Sequence, residues 1–216
     1  MTSTTALIVA DLQAGITTRF PFARPAAAAA AQAVTAARGH GIPVIFVRAA
    51  LRPSGADLGT RNQLFQQFFK LGEVFHEGRP GTEVTPELDP LPGDPVVTKR
   101  RTSAFHGSDL EILLRVQGAQ RIVLCGTATG AVVAATAYAA ADLDFEVTIL
   151  SDACADPAPD VHAFLTTTLF PSRLFEVLTV SEWAERVLRT SHARECLCPS
   201  SLMMPERRFP ACCATA

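Results

Sequence analysis

Two charged residues and one small-residue segment of this 216-residue chain stand at positions that suit catalysis. Asp11 follows the apolar run TALIVA, Lys99 follows PVVT, and the segment 126–132 follows RIVLC. Because the carboxyl ends of parallel strands meet at one edge of a sheet, we expect the three features to lie together there. In such an arrangement the carboxylate can donate or accept a proton, and the ammonium group tunes the pKa of the carboxyl. The N–H groups of the helix N-terminus can stabilise developing negative charge.

Each of these features also has an ordinary structural explanation. An acid or a lysine that ends a strand is often only a solvated terminus, and a turn of small residues often serves close helix–strand packing. The chain contains no Walker pattern, no G-x-G-x-x-G and no G-x-S-x-G, so neither a phosphate-binding loop nor a serine hydrolase is predicted. We interpret Asp152 first as a capping residue and second as a site residue. Among the five histidines, His106 follows a strand end and could reach the edge of the sheet.

The elements that must position these residues alternate between short apolar strands and helices. Strands are predicted at residues 5–10, 44–47, 95–98, 121–125, 146–150 and 175–180. Helices are predicted at residues 25–38, 108–115, 131–143 and 159–169, with a last helix through residue 187. This alternation predicts an α/β fold with a doubly wound parallel sheet.

Two local features refine this outline. Ser108 and Glu111 form a capping-box pair, which predicts the start of the 108–115 helix. Between residues 48 and 95 the periodicity weakens, and we expect loops over the site. This segment contains one apolar patch, which either joins the core or forms an interface: Leu64, Phe65, Phe68 and Phe69.

Composition limits the classes of function. The chain carries 19 Lys+Arg against 21 Asp+Glu and is 48% hydrophobic, which suits one globular domain, placed at residues 1–190, without a basic surface for nucleic acid or anionic lipid. No apolar run approaches the about 20 residues of a membrane helix and no leader peptide is recognisable, so a cytoplasmic location is predicted. Residues 191–216 lack periodicity, contain four of the six cysteines and are predicted to form an irregular or disordered tail. No disulfide framework is implied.

At four places the sequence resembles the isochorismatase-like hydrolase family. The blocks are LIVADLQ, VVTKRRTSAFHGSDLEILLR, IVLCGTATGAVVAATAYAAA and VTILSDACAD, and the resemblance covers residues 5–185. It implies a Rossmann-like three-layer α/β/α fold with a six-stranded parallel sheet, a cis peptide bond between Thr127 and Ala128, and assembly as a homodimer or homotetramer. Most members hydrolyse amides with an Asp, Lys and Cys triad, and Asp11 and Lys99 match its first two residues.

The third triad position departs from this pattern. Aligning GTAT with the family's G-V-A-T turn puts the nucleophile at Val132, whose side chain has no nucleophilic atom, so a thioester mechanism cannot run there. Cys125 does not replace it, because it lies seven residues earlier in a buried strand, and Cys154 belongs to a different loop. True isochorismatases carry glycine at this position and hydrolyse a vinyl ether. The acid that corresponds to Asp11 protonates the substrate, water attacks the resulting cation, and the lysine tunes the acid.

The sequence therefore predicts a hydrolase of a small metabolite that uses general acid–base catalysis, with Asp11 and Lys99 as the catalytic residues. The substrate-binding residues predicted beside them are Thr127, Ala128, Thr129, Gly130, Ala131, Val132 and His106. No cofactor is expected, and no metal, since the segment RAALRPSGADLG has no histidine where metal-binding members place their ligands. Two alternatives stay open: a degenerate member that binds a small molecule or serves as a structural subunit, and an amidase that uses another cysteine.

Overall fold

Six strands form one parallel sheet. They are β1 (Thr4–Ala10), β2 (Val44–Ala49), β3 (Val96–Lys99), β4 (Ala119–Thr127), β5 (Glu146–Ala155) and β6 (Glu176–Leu178). Their order in the sheet is β3-β2-β1-β4-β5-β6, and every neighbouring pair is parallel. The computed structural model describes residues 4–196. The predicted α/β fold with a six-stranded parallel sheet is confirmed.

Helices cover both faces of this sheet, which explains why its strands are nearly continuous apolar runs. They are α1 (Ala14–Arg19), α2 (Ala23–Gly39), α3 (Gln63–Phe69), α4 (Leu110–Val116), α5 (Ala134–Asp142), α6 (Pro159–Phe164), α7 (Phe170–Ser172) and α8 (Val180–Cys196). Helix α2 packs against α8 on one face. On the other face, the segment before α4 is tied to α5, because the N–H of Ala104 donates to Thr136 Oγ1 at 3.0 Å.

The direction of the chain through the sheet reverses between β1 and β4. From β1 the chain runs outward through β2 and β3, and it then returns to β4 on the other side of β1. Ligands of open α/β sheets bind in the crevice that such a reversal leaves beyond the carboxyl ends of the strands. Asp11 follows β1 and Ala128 follows β4, so both border this crevice.

Gly126 allows β4 to approach β1 closely just before this crevice. Its φ is 142°, a value that side-chain-bearing residues rarely adopt. A Cβ atom at this position would overlap the carbonyl oxygen of Ala10. Glycine is therefore required here by both the backbone conformation and the space.

Gly126→Ala is expected to lower the free energy of unfolding by at least about 2 kcal/mol, because the clash and the unfavourable φ add. Gly41→Ala is the matched control. Its φ is also positive, at 66°, but no atom lies within 4 Å of an added Cβ, so the expected loss is about 1 kcal/mol. Urea denaturation followed by circular dichroism measures both losses, and equal values would contradict the close approach.

The predicted capping box does not form. Helix α4 begins at Leu110, and neither Ser108 nor Glu111 caps it as predicted. Ser108 Oγ instead donates to the carbonyl oxygen of Ala104 at 2.5 Å and accepts from the N–H of Leu110 at 3.3 Å. The hydroxyl is thus used to close the turn before the helix, which delays the helix start by two residues relative to the prediction.

Several other boundaries differ from the prediction. Strand β5 continues to Ala155, so Cys154 lies in a strand and not in a loop. A π-helical turn, Thr129–Val133, precedes α5 where one regular helix was predicted. Helix α8 continues to Cys196, into the segment predicted as an irregular tail. Residues 197–216 of that predicted tail lie outside the described residues.

The predicted apolar patch between β2 and β3 contributes to a second, smaller core. Phe65 in α3 is buried and packs with Ile16, Ala49 and Val74, while Phe68 and Phe69 pack against this cluster. Leu64 is 46% exposed and stays outside it. The cluster joins α1 to the long segment after β2, which lies beyond the carboxyl ends of the strands.

Candidate active site

Asp11 is the first residue after β1, and its backbone turns away from the strand. Its φ is 55°, a left-handed conformation that Asp tolerates better than most side-chain-bearing residues. The N–H of Asp11 still donates to the carbonyl oxygen of Val47 at 2.9 Å. The carboxylate is therefore held at the reversal point by backbone contacts on the β2 side.

Lys99, the last residue of β3, forms a buried ion pair with Asp11. Its Nζ lies 2.8 Å from Asp11 Oδ2, and only 4% of the Lys99 side chain and 9% of the Asp11 side chain are exposed. The ammonium group also donates to the carbonyl oxygen of Arg101 at 3.2 Å. Asp11 Oδ1 is buried and has no hydrogen-bond partner in the part of the chain that the structure describes. One carboxylate oxygen is thus paired with the ammonium group, and the other has no partner among the described residues.

The pKa of the Asp11 carboxyl is raised. Burial is the dominant cause, because it disfavours the charged form, while the charge and the hydrogen bond of Lys99 act in the opposite direction. A raised pKa increases the fraction of the carboxyl that is protonated at a given pH. This property suits a general acid.

The turn after β4 runs from Thr127 to Val133 and contains a cis peptide bond between Thr127 and Ala128. Thr127 Oγ1 donates to the backbone carbonyl oxygen of Asp11 at 3.2 Å. The carbonyl oxygen of Ala128 accepts from the N–H groups of Ala131 at 3.1 Å and of Val133 at 3.3 Å. The start of the turn is therefore attached directly to Asp11.

Two residues that follow β5 hold the middle of the same turn. Asp156 Oδ2 accepts from the N–H of Gly130 at 2.7 Å. His162 Nδ1 lies 2.9 Å from Thr129 Oγ1, a hydrogen bond whose donor depends on the histidine tautomer. Sequence reasoning assigned a role to neither residue. We call Asp156 and His162 the turn clamp.

The comparisons with known proteins agree with this geometry. The family model "Isochorismatase domain" matches residues 5–182. The chain belongs to the isochorismatase family. It is 32% identical over 193 residues to the uncharacterised isochorismatase family protein YecD of Escherichia coli O157:H7. The alignment covers 83% of this chain and 94% of YecD.

Two further relatives connect the isochorismatase-family chain to hydrolases. The chain is 29% identical over 167 residues to the ureidoacrylate amidohydrolase RutB of Pseudomonas savastanoi pv. phaseolicola, covering 72% of this chain and 65% of RutB. The crystal structure of a cysteine hydrolase from Pseudomonas syringae pv. phaseolicola superposes with a TM-score of 0.78 at 27% identity, covering 86% of this chain and 92% of that chain. The predicted resemblance is confirmed, and the family is one of hydrolases.

The structure brings most of the predicted site residues of this isochorismatase-family chain to the crevice. Asp11, Lys99 and the turn lie at the same edge of the sheet. Val132, which the resemblance aligns with the nucleophile, is 1% exposed and belongs to the main core. His106 lies in the turn before α4 with an exposed side chain, and its predicted role in substrate binding stays a prediction.

Cys125 and Cys154 are buried in neighbouring strands. Cys125 lies in β4, and Cys154 in β5 pairs with Gly126 in the strand register. Burial raises the pKa of the Cys154 thiol to about 12 and that of the Cys125 thiol well above its ordinary value. Both thiols are therefore protonated near neutral pH and are poor nucleophiles.

Asp152 serves as a cap, in agreement with its first interpretation. Its Oδ1 accepts from the N–H of Val180, the first residue of α8, at 2.9 Å. A carboxylate at a helix N-terminus is stabilised by the free N–H groups and the helix dipole. This contact fixes the start of α8 and does not involve the crevice.

Gln13 is a further residue that sequence reasoning did not assign. Its side chain is 1% exposed. Its Nε2 lies within 3.3 Å of three carbonyl oxygens, those of Ala49, Val74 and Gly81, and its Oε1 accepts from the N–H of Ala49 at 2.8 Å. Gln13 thus attaches the segment after β2 to the residues that follow Asp11. The block LIVADLQ contains this glutamine, but no periodicity distinguishes it from a surface residue.

Residues 4–196 contain neither a cluster of metal-ligating side chains nor a membrane-spanning helix. No group of three or more His, Cys, Asp or Glu side chains there could hold a metal ion. No helix in that range is long and apolar enough to cross a membrane.

Proposed function

We propose that this chain hydrolyses a small metabolite by general acid–base catalysis, with Asp11 as the proton donor or acceptor and Lys99 as its electrostatic partner, and without a covalent cysteine intermediate. The observation that carries the proposal is the Asp11–Lys99 pair. Its free oxygen, Asp11 Oδ1, is buried without a partner among residues 4–196, while position 132 carries valine. Such a pair needs no enzyme-bound intermediate to act on a substrate.

The pair supports the acid-catalysed hydrolysis of a vinyl ether, in which Asp11 first gives a proton and then takes one back. Protonated Asp11 gives its proton to the substrate carbon, so that a C–H bond forms and positive charge develops on the ether carbon and oxygen. The Asp11 carboxylate that remains is stabilised by the Lys99 ammonium 2.8 Å away. Water adds to the cation and returns a proton to Asp11. The hemiketal then breaks its C–O bond while its hydroxyl proton passes to the leaving oxygen, which gives a ketone and an alcohol.

The same pair can act on an amide if Asp11 is ionised, because Asp11 can accept the proton of the attacking water and return it to the leaving nitrogen as the C–N bond breaks. RutB is named as an amidohydrolase of ureidoacrylate, so an amide or carbamoyl substrate belongs to the proposal as an alternative to a vinyl ether. Burial, which raises the Asp11 pKa, favours the acid role over the base role.

A second candidate function is a degenerate family member that binds a small molecule or serves as a structural subunit. The observation that favours it is Val132, whose buried side chain fills the nucleophile position with apolar volume. This alternative predicts that ligands raise the melting temperature of the protein without being converted.

A compound panel tests the two candidates. Wild type is incubated with isochorismate, ureidoacrylate, an N-carbamoyl amino acid and nicotinamide, and products are measured by chromatography. We expect multiple turnovers of at least one compound and an unchanged intact mass in acid-quenched samples. A covalent adduct on Cys125 or Cys154 would contradict the mechanism, and thermal stabilisation without product would favour the degenerate member.

The pH dependence follows from the raised pKa of Asp11. If Asp11 is the general acid, the active form is protonated, so kcat is highest below the raised pKa and falls as pH rises through it, by about tenfold per pH unit above it. Steady-state rates from pH 4 to pH 9 with the converted compound measure this profile. A rate that rises over the same interval would assign Asp11 the base role instead.

Assembly and location also stay predictions. The expectation of a homodimer or homotetramer is checked by light scattering on the purified full chain, and the cytoplasmic location by fractionation of cells.

A further inference from the structure

We infer that the turn clamp, Asp156 and His162, positions the substrate-binding turn relative to Asp11. The inference rests on the proposed function, because it concerns the same site. Both residues act through the turn, and neither is assigned a proton-transfer role. They are therefore positioning residues.

The strand register places Asp156 beside the turn. Beyond an irregularity in the ladder, Gly126 pairs with Cys154 and Thr127 pairs with Ala155. Asp156 directly follows Ala155, the last residue of β5, whose partner Thr127 begins the turn. The segment SDACAD thus has to stay extended through Ala155 to deliver this carboxylate.

Both oxygens of the Asp156 carboxylate are engaged by backbone N–H groups. Oδ1 accepts from Ala158 at 3.1 Å, and Oδ2 accepts from Gly130 at 2.7 Å. The first contact fixes the carboxylate within its own loop, and the second attaches it to the turn. A Cβ at position 130 would lie 3.1 Å from Asp156 Oδ2, so glycine permits the close contact.

The charge of Asp156 strengthens this attachment. Gly130 lies in the first turn of the continuous helical segment that leads into α5, where free N–H groups and the helix dipole favour a negative charge. A hydrogen bond to an ionised acceptor is roughly twice as strong as a neutral one. The N–H of Gly130 is also committed to Asp156, which leaves substrate to be bound by other atoms of the turn.

His162 holds the side chain of the preceding residue. Thr129 is fully buried, at 0% exposure, and a buried hydroxyl without a partner is costly. The 2.9 Å contact between Thr129 Oγ1 and His162 Nδ1 supplies that partner from α6. The side chain of Thr129 and the backbone N–H of Gly130 are therefore both held by the segment that runs from the end of β5 into α6.

The turn is held at its start and at its middle, and this makes the clamp relevant to catalysis. At its start, Thr127 Oγ1 donates to the carbonyl oxygen of Asp11; at Thr129 and Gly130, the clamp fixes it to the β5–α6 connection. Releasing the clamp shifts the turn while Asp11 stays in place on β1. A misplacement of about 1 Å at a reacting centre can cost about a hundredfold in rate.

Four variants of the full chain test the inference. Asp156→Asn keeps the volume but loses one acceptor and the charge. His162→Asn keeps a hydrogen-bonding atom near the position of Nδ1, whereas His162→Gln offers one near Nε2. Asp160→Asn is the control, since Asp160 lies exposed in the first turn of α6 and its change removes the same charge.

Two measurements are made on each variant. Hydrogen–deuterium exchange of the peptides that cover residues 127–133 reports the turn without any substrate. Steady-state kinetics with the converted panel compound, isochorismate or ureidoacrylate, separates kcat from KM. For Asp156→Asn and His162→Gln we expect faster exchange in the turn alone and a kcat lower by about tenfold to a hundredfold with KM within about twofold. His162→Asn and Asp160→Asn should stay within about twofold of wild type in both.

The outcomes separate this inference from the proposed function. Unchanged exchange in Asp156→Asn and His162→Gln overturns the positioning role, and so does faster exchange with unchanged kcat, which would mark the clamp as merely structural. A loss of kcat in His162→Asn as large as that in His162→Gln also counts against the positioning role. If Asp11 proves dispensable for turnover, the proposed function fails, while the exchange and kcat of the clamp variants still decide this inference.

Discussion

Asp11→Asn is expected to lower kcat by at least about a hundredfold, because the amide can neither give nor take the proton that the reaction requires. The substitution keeps the size of the side chain, so the crevice should retain its shape. Steady-state kinetics with the converted panel compound measures the loss. Turnover that equals wild type would overturn the assignment of Asp11.

The same substitution also affects stability, and this effect must be separated from catalysis. Without the carboxylate, the Lys99 ammonium stays buried with no countercharge, which typically costs about 3–5 kcal/mol. The double variant Asp11→Asn with Lys99→Met removes both charges and should recover much of this loss. Urea denaturation follows the recovery. If activity returned together with stability in the double variant, the loss in Asp11→Asn would be a folding defect.

Lys99→Met tests the electrostatic role of the lysine from the other side. The charge and the hydrogen bond of Lys99 lower the pKa of Asp11 against the effect of burial, so their removal should raise this pKa further. The pKa of Asp11 is higher in the folded state than its ordinary value of 3.8. The stability that this difference contributes is therefore fully present below pH 3.8, and it is lost as the pH rises through the pKa of the folded state. The variant should therefore lose more stability relative to wild type at pH 8 than at pH 5, and an equal loss at both would contradict the coupling.

The Asp11–Lys99 pair could be predicted from the sequence because its position depends on few local signals. Asp11 and Lys99 come at the ends of short apolar runs, and a parallel sheet brings strand ends to one edge whatever the details of the helices. For this reason errors of one or two residues at the strand ends did not matter. A doubly wound sheet contains a reversal of the chain direction, but its position between β1 and β4 comes from the structure and not from the alternation.

The clamp could not be predicted, because it depends on a boundary that the sequence pattern hides. The apolar run of β5 ends at Leu150, but the strand continues through the polar residues of SDACAD to Ala155. This extension depends on pairing with β4 beyond a register shift, which is a tertiary effect. The capping box failed for a related reason, since Ser108 bonds to Ala104 in the turn that precedes α4.

Val132→Cys is expected to create amide hydrolysis that wild type performs weakly or not at all. A thiol at this position would complete the Asp, Lys and Cys triad that the family resemblance implies, within the turn that Thr127 attaches to Asp11. Cysteine is slightly smaller than valine, so the buried site accepts it at a cost of about 1 kcal/mol. We expect turnover of ureidoacrylate or nicotinamide at least about a hundredfold above wild type.

Val132→Ala is the matched control, because it opens similar space without a nucleophile. If the space at position 132 alone limits amide turnover by wild type, Val132→Ala should increase turnover as much as Val132→Cys does. No acyl adduct should then appear in acid-quenched Val132→Cys. If the missing thiol limits turnover, only Val132→Cys gains amidase activity, the adduct maps to position 132, and adding Asp11→Asn abolishes the gain. Cys125 and Cys154 are buried, and the pKa of each thiol is raised. Modification of either of them in place of position 132 would therefore contradict the alignment that puts the nucleophile at Val132.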